Sequence, residues 1–430
     1  MAGTDPGASP SDHVGHPPGE FNPVRAEERI LILDVLRGFA MFGVLWSNLN
    51  DWYGTTDAIS GFQHALEFFQ NWLIESRFYY LLGFLFGMGF AIQLTRAEER
   101  GVDVRVMFMR RMAVLLGIGI LHGTLIWRGD VLTQYALLGM LLLFFRRLSP
   151  RALLAAAAAT LFLLPYLINI AIAATGLKFP ARLPDDQINW IYMHGTFTQI
   201  VSRGALDYLF WYRRWPLFVF PAFVTLFVLG LWAVRVDLVK RLMARRSRLL
   251  WVLVAAVAGT LIGAYVQTNL GKWWPPPKSP PTLGEVAFSL RALRLTIAQT
   301  AWHLFAWSNT VVYAAALALL VSVPAGARLL APLAAVGRMS LTTYLTQSLV
   351  SVTLFYHYGF GWYGRVGHGG MLTLTVTLFA LQMAASVWWL GRYRFGPMEW
   401  LWRSAAYGRL QPMHRKTERP VAVPSTADRL

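Results

Sequence analysis

Ten long apolar runs, separated by polar breaks, set the pattern of this chain. They cover about 30–48, 73–95, 106–127, 130–146, 151–175, 215–235, 248–270, 296–323, 331–356 and 370–391. At 1.5 Å per residue, such runs match the roughly 30 Å hydrocarbon core of a bilayer. The pattern therefore predicts an all-α polytopic transmembrane bundle of about ten helices. The second run is the most interrupted, with Glu75 and Arg77 at its start; the fifth is broken only by Pro165. Gly83 and Gly87 have the G-x-x-x-G spacing that lets helices approach closely. The break at 177–214 carries Pro180, Pro184, Asp185, Asp186 and several aromatics, and predicts a helix lying in the membrane interface. The break at 271–295 contains Trp273-Trp274-Pro275-Pro276-Pro277, which predicts an extended cap near the headgroups.

The flanks divide the chain further. Residues 1–29, rich in Pro, Gly, Asp and His, read as a disordered cytoplasmic tail. No cleaved leader is visible, so the first run is expected to be retained and to direct insertion. Residues 30–235 then form an N-terminal transmembrane half, 236–410 a C-terminal transmembrane domain, and 411–430 a second cytoplasmic tail. The hinge between the halves is expected in the basic stretch 236–247.

Charge decides orientation. The segments 1–29, 96–111, 146–151, 235–248, 328–338 and 392–430 hold 26 of the 39 Lys and Arg, while the alternate breaks hold 12. Positive residues accumulate on the cytoplasmic side, so both termini are expected there, in the plasma (inner) membrane of a bacterium. The composition agrees, being 56% hydrophobic and only 14% charged, against about 25% charged in soluble domains. The net charge of +17 sits in the loops, so nucleic acid is not an expected partner. There is no cysteine, which excludes disulfides, thiolate catalysis and Cys-type metal sites. No H-E-x-x-H, Walker loop, dinucleotide fingerprint or nucleophile elbow is present, and no metal is expected.

Ionisable and amide side chains inside the apolar runs are the candidates for chemistry, because hydrocarbon makes them costly. Asp34 and Arg37 stand three apart on one face of the first run; they form either a self-neutralising anchor or a substrate contact. Asn48 closes the same run. His122 lies near the outer end of the third run, and Asp130 opens the fourth, followed by Gln134. Asp130 suits a helix N-cap. It also suits a carboxylate that fixes the tautomer of His122 and leaves the other ring nitrogen to act as a base. Arg338, Ser340, Tyr344 and Gln347 rise along one face of the ninth run. Arg110 and Arg111 sit at the inner end of the third, where topology alone would place them. His64 is a lone loop histidine. The segment Tyr393 to Arg403, with Trp400 and Trp402, predicts an interfacial helix.

Several of these motifs resemble a known family. Leu33-Asp34-Val35-Leu36-Arg37-Gly38-Phe39-Ala40, His122 with Gly129-Asp130-Val131-Leu132, Gly337-Arg338-Met339-Ser340-Leu341-Thr342, and Gly396-Pro397-Met398-Glu399-Trp400-Leu401-Trp402-Arg403 are similar to the YeiB-like bacterial membrane proteins. The match runs in order from about residue 27 to 410. More distantly, the opening motif resembles the transmembrane acyltransferases, which include bacterial sugar O-acyltransferases and the lysosomal heparan glucosaminide acetyltransferase. The O-acyltransferases place a functional histidine where this chain has Asn48. The lysosomal group resembles it better, with an asparagine there and a histidine soon after; His64 is the nearest counterpart, at a different spacing.

That resemblance implies transfer of an acyl group from acyl-coenzyme A, as donor substrate, to a hydroxyl or amine of an envelope, glycan or small-molecule acceptor. Asn48 would then hold the acyl carbonyl or acceptor. His122 or His64 would be the base, with Asp130 orienting His122. Arg110 and Arg111 would meet the coenzyme's phosphates. The competing expectation is a transporter of a small metabolite, whose path the same polar residues would line. The lipid bilayer is an expected partner, and association with a second copy of the chain stays open.

Overall fold

The computed structural model describes residues 30–50, 77–99, 105–175, 184–273 and 286–414, with Ala65, Phe68, Gln70 and Trp72 between the first two stretches. The expectations for His64, the tail 1–29, the extended cap beyond Trp273 and residues 415–430 lie outside the described residues.

All ten apolar runs are helical, and no strand forms among the described residues. In chain order the helices are α1 (Leu31–Leu49), α2 (Arg77–Glu99), α3 (Arg105–Leu125), α4 (Leu132–Phe145) and α5 (Pro150–Ala158), which passes through a wide π turn (Ala159–Leu163) into α6 (Leu164–Thr175). Then come α7 (Asp185–His194), α8 (Phe197–Phe218), α9 (Phe220–Arg235), α10 (Leu238–Met243), α11 (Arg246–Trp273) and α12 (Val286–Val321). The chain ends with α13 (Pro324–Leu329), α14 (Ala331–Arg338), α15 (Ser340–Phe355), α16 (His368–Arg392) and α17 (Pro397–Tyr407).

Seven of these stretches are long and apolar enough to cross a membrane: α1, α2, α3, α5–α6, α11, α12 and α16. The helices α4 and α9 are apolar but have 14 and 16 residues, roughly 21–24 Å. The ninth run is not one helix. Met339, at φ −113° and ψ 28°, separates α14 from α15.

The helix α1 lies at the centre, with Val35, Ala40, Val44, Leu45 and Leu49 wholly buried. It packs along α14 with the backbones in contact. A Cβ on Gly38 would run into the carbonyl oxygen of Leu333, and one on Gly337 into that of Asp34. The same device joins α2 to α9, where Gly87 meets the carbonyl of Phe227 and Gly230 that of Phe84. Close approach of this kind lets small residues replace the hydrophobic drive that lipid does not supply. These contacts cross the division expected at 236–247, since α1 packs on α14 and α6 on α12. Pro165 has no N–H for the carbonyl of Leu161, four residues back; Thr300 Oγ1 of α12 donates to it at 3.4 Å.

At the periphery α11 packs mainly on α12 and leaves Leu250, Trp251, Val254, Leu261 and Tyr265 exposed. A face this apolar is stable in hydrocarbon and not in water.

Candidate active site

The turn between α3 and α4 builds the first part of the site. Asp130 accepts from the backbone N–H of Leu132 at 3.2 Å and of Thr133 at 2.8 Å, capping α4. The same carboxylate meets His122 Nδ1 at 3.0 Å, with His122 and Asp130 each 1% exposed. The capping role and the orienting role therefore coexist in one group. Gly119 makes this possible: a Cβ there would meet the Thr133 backbone nitrogen at 2.5 Å. An ionised carboxylate only accepts, so this bond places the imidazole proton on Nδ1. His122 Nε2 is left buried without a hydrogen-bond partner. Buried polar atoms are nearly always paired, and an orphan at a conspicuous site points to function.

The pair is covered from two sides. The stretch 177–214, expected to hold an interfacial helix, contributes α7 and most of α8, and α8 packs onto α3. Tyr208 OH bonds Thr133 Oγ1 at 2.8 Å, its ring rests on Gly123, and Tyr212 OH donates to the Asp130 carbonyl at 3.3 Å. Burial pushes both phenols above their ordinary pKa, which favours their neutral form. Asp207 of α8 is itself buried and accepts from Arg203, from Arg128 at 3.4 Å and from Tyr192 OH at 3.2 Å. Arg128 belongs to the α3–α4 turn, so this ion pair fastens α8 over it. On the other side stands Tyr344 of α15. Its hydroxyl donates to the Gly129 carbonyl at 3.1 Å and accepts from Val131 N–H at 3.3 Å, and its ring lies 5.1 Å from that of His122.

Tyr344 also lines a cavity of about 330 Å³ between α1, α2, α3, α4, α14, α15 and α17. Arg37, Arg96, Arg111, Arg338, Arg394 and Arg403 line it together with two carboxylates, Asp34 and Glu399. Arg96 lies near the end of α2, Arg338 closes α14, Arg394 stands between α16 and α17, and Arg403 is in α17. From Arg96 to Leu82 along α2 the lining extends roughly 21 Å. Its walls beyond the arginines are Phe90, Phe86, Leu85, Phe108, Met112 and Leu115.

The elements that hold the mouth are tied together. Asp34 and Arg37 pair at 2.9 Å. Arg111 Nη1 donates to Gln93 Oε1 at 2.6 Å, and its guanidinium lies 4.6 Å from the centre of the Trp402 ring. The helix α17 is more than an interfacial strip. Trp402 Nε1 donates to the Arg111 carbonyl at 2.8 Å, and Glu399 caps α15, accepting from Leu341 and Thr342 N–H at 2.7 and 3.1 Å and from Thr342 Oγ1. Burial raises the Glu399 carboxyl above its ordinary 4.5, against those three bonds.

The structure thus brings together Asp34, Arg37, Arg111, Arg338 and Tyr344 at the cavity, and His122 with Asp130 behind Tyr344. It does not bring the others there. Asn48 Oδ1 accepts from Tyr79 OH, tying α1 to α2, and lies outside the cavity lining. Arg110 is exposed. Gln347 Nε2 bonds the Met41 carbonyl at 3.3 Å and Gln382 at 3.0 Å, joining α15 to α1 and α16. Gln134 is buried in α4, outside the lining. Sequence reasoning missed Gln93, Arg96 and Glu399 at the mouth, and Tyr208 and Asp207 over the histidine. The only signal for Arg96 was its place at the inner end of an apolar run, which the positive-inside rule explains equally well.

These features define a polytopic helical membrane protein with a cationic internal cavity beside a buried His–Asp pair. A family profile described as "Protein of unknown function (DUF418)" matches residues 233–409. "Uncharacterized protein YxaH" of Bacillus subtilis (strain 168) is 32% identical, across 93% of this chain and 99% of its own length. "Uncharacterized protein YeiB" of Escherichia coli (strain K12) is 26% identical, across 91% of this chain and 100% of its own. The chain belongs to this YeiB-like family of membrane proteins.

Proposed function

We propose that the protein is an acyltransferase of the bacterial inner membrane that takes its acyl group from cytoplasmic acyl-coenzyme A. One observation carries this reading: an arginine-lined cavity whose far end shares Tyr344 with a His–Asp pair bearing an unpartnered Nε2. Arginines match phosphate oxygens in geometry and charge, and six of them line this cavity beside Asp34 and Glu399. At about 330 Å³ the cavity is at the small end of ligand pockets. It holds the arm and acyl group of the donor, while the nucleotide stays at the mouth.

The chemistry follows from the tautomer. His122 Nε2 takes the proton of an acceptor hydroxyl or amine as its oxygen or nitrogen attacks the thioester carbonyl. Asp130 holds the resulting imidazolium. When the tetrahedral intermediate collapses, the C–S bond breaks, Nε2 returns the proton to the departing thiolate, and an ester or amide and free coenzyme A result. The acceptor reaches the pair once Tyr208 and Tyr212 of α8 move aside.

The test uses the full chain in lipid nanodiscs. Because the chain has no cysteine, a thiol reagent reports free coenzyme alone. Acyl-coenzyme A should bind with an affinity that falls as salt rises, and should release thiol slowly to water and faster when envelope extracts supply an acceptor. Absence of binding by any acyl-coenzyme A defeats the proposal. Movement of a solute across liposomes without thiol release would establish the transport reading instead.

A further inference from the structure

We infer that the far end of the cavity is a hydrocarbon pocket that selects an acyl group longer than acetyl. This rests on the cavity being the donor site. The observation is a division of the cavity by chemistry. Charge is confined to the mouth. The far end, at the level of Tyr344 and the α3–α4 turn, is walled by Met41, Leu82, Leu85, Val131 and Leu132.

The polar atoms of the two phenols at that level are already engaged. Tyr135 OH donates to the Tyr79 carbonyl at 3.1 Å, and Tyr344 OH donates to the Gly129 carbonyl and accepts from Val131 N–H. A polar group arriving beside the aliphatic wall would go unpaired, and burying one unpaired is costly. Hydrocarbon meets no such penalty. An acetyl group contributes a single methyl and would leave this wall facing empty space, forfeiting the dispersion contacts a filled site makes. A chain of several carbons fills it.

The same wall and charged mouth would also suit a single-chain lipid with an anionic head, so the test separates the two sources. Affinity is measured by calorimetry in nanodiscs, where no detergent tail competes. The ligands are coenzyme A, its acetyl, butyryl, hexanoyl, octanoyl and dodecanoyl thioesters, octanoate and a lysophosphatidate. Each methylene that enters the wall should tighten binding about four-fold, the equivalent of ~0.8 kcal/mol. The gain should stop, and then reverse, once the chain outgrows the far end.

Leu82→Phe should move that limit to a shorter chain. The length series of the unaltered protein decides the matter even where that variant fails to fold. Equal affinity for coenzyme A, acetyl and octanoyl thioesters would overturn the hydrocarbon pocket while leaving the donor reading intact. No binding of coenzyme A or of any thioester would remove both. Tighter binding of the lysophosphatidate than of every thioester would overturn the inference and make the cavity a lipid site.

Discussion

Around α8 and the α3–α4 turn, Asp130 and Asp207 each hold several donors, and the crevice beside them is only about 10 Å³. At the cavity mouth, six arginines meet two carboxylates around a void of about 330 Å³. The first region spends its charge on closing the structure, apart from one ring nitrogen without a partner. The second keeps cations around empty space. Guanidinium groups lining such a void match the oxygens of a phosphate or carboxylate in geometry. On the proposed reading, the first region is the place for reaction and the second the place for binding.

The sharpest way to break that separation is His122→Ala. A lost general base costs about 10²- to 10⁴-fold in rate, so acyl transfer should collapse while calorimetric affinity for the donor stays near normal. Asp130→Asn should follow in the same direction. A folded His122→Ala protein that turns over at the original rate would reduce the pair to a helix tie, worth about 1 kcal/mol in stability.

Asp207→Ala tests whether the outer charge is structural. It removes the acceptor that Arg203 and Arg128, both partly buried, share, and losing such a partner costs about 1–3 kcal/mol. The loss should show in thermal or chemical unfolding. Donor affinity should remain unchanged, because α8 lies apart from the arginine mouth. An equally large drop in affinity would merge the two regions into one site.

Arg111→Met asks the reverse. Donor affinity should weaken about tenfold, near 1.4 kcal/mol, with a shallower salt dependence. A change in melting temperature without a change in affinity would make Arg111 a strut for Trp402 and nothing more.

The smallest effect belongs to Glu399. Glu399→Ala removes the cap of α15 and should cost about 1 kcal/mol. Glu399→Gln keeps an acceptor oxygen for the Leu341 and Thr342 N–H groups and should cost less. Its pH dependence has a definite sign. The folded carboxyl titrates above its ordinary 4.5, so the folded state holds its proton to higher pH than the unfolded chain. Stability contributed by this group is therefore greatest below pH 4.5 and falls as pH rises from there through the folded value. Unfolding measured from pH 4 to 8 should show the original protein losing ground to Glu399→Gln.

Much of the fold was legible because hydrocarbon imposes a simple rule: a spanning helix must be apolar over its whole length. The described part of every run is helical, and seven stretches are long and apolar enough to span. Asp34 and Arg37 were legible as a pair because helical spacing alone puts them on one face. His122 and Asp130 were legible because one short turn joins their helices. The break at Met339 was not, since Met339 is an ordinary apolar residue; Glu399, 58 residues beyond Leu341, caps the helix that starts there. Chain distance also hid the covering role of α8, whose Tyr208 looks like an interfacial aromatic until Gly123 is seen to admit its ring.

Sequence by itself determined the class of solvent, the helical character of the apolar runs and the identity of the His–Asp pair. Each of these depends on composition or on neighbours within a few turns. Tertiary structure decided which arginines share a void, which amides are ties, and that the phenol of Tyr344 stands between the cavity and the His–Asp pair. Gly38 and Gly337 bring α1 against α14, and Trp402 brings α17 against α3. Those contacts link residues hundreds of positions apart, and hydropathy carries no record of which helices will touch.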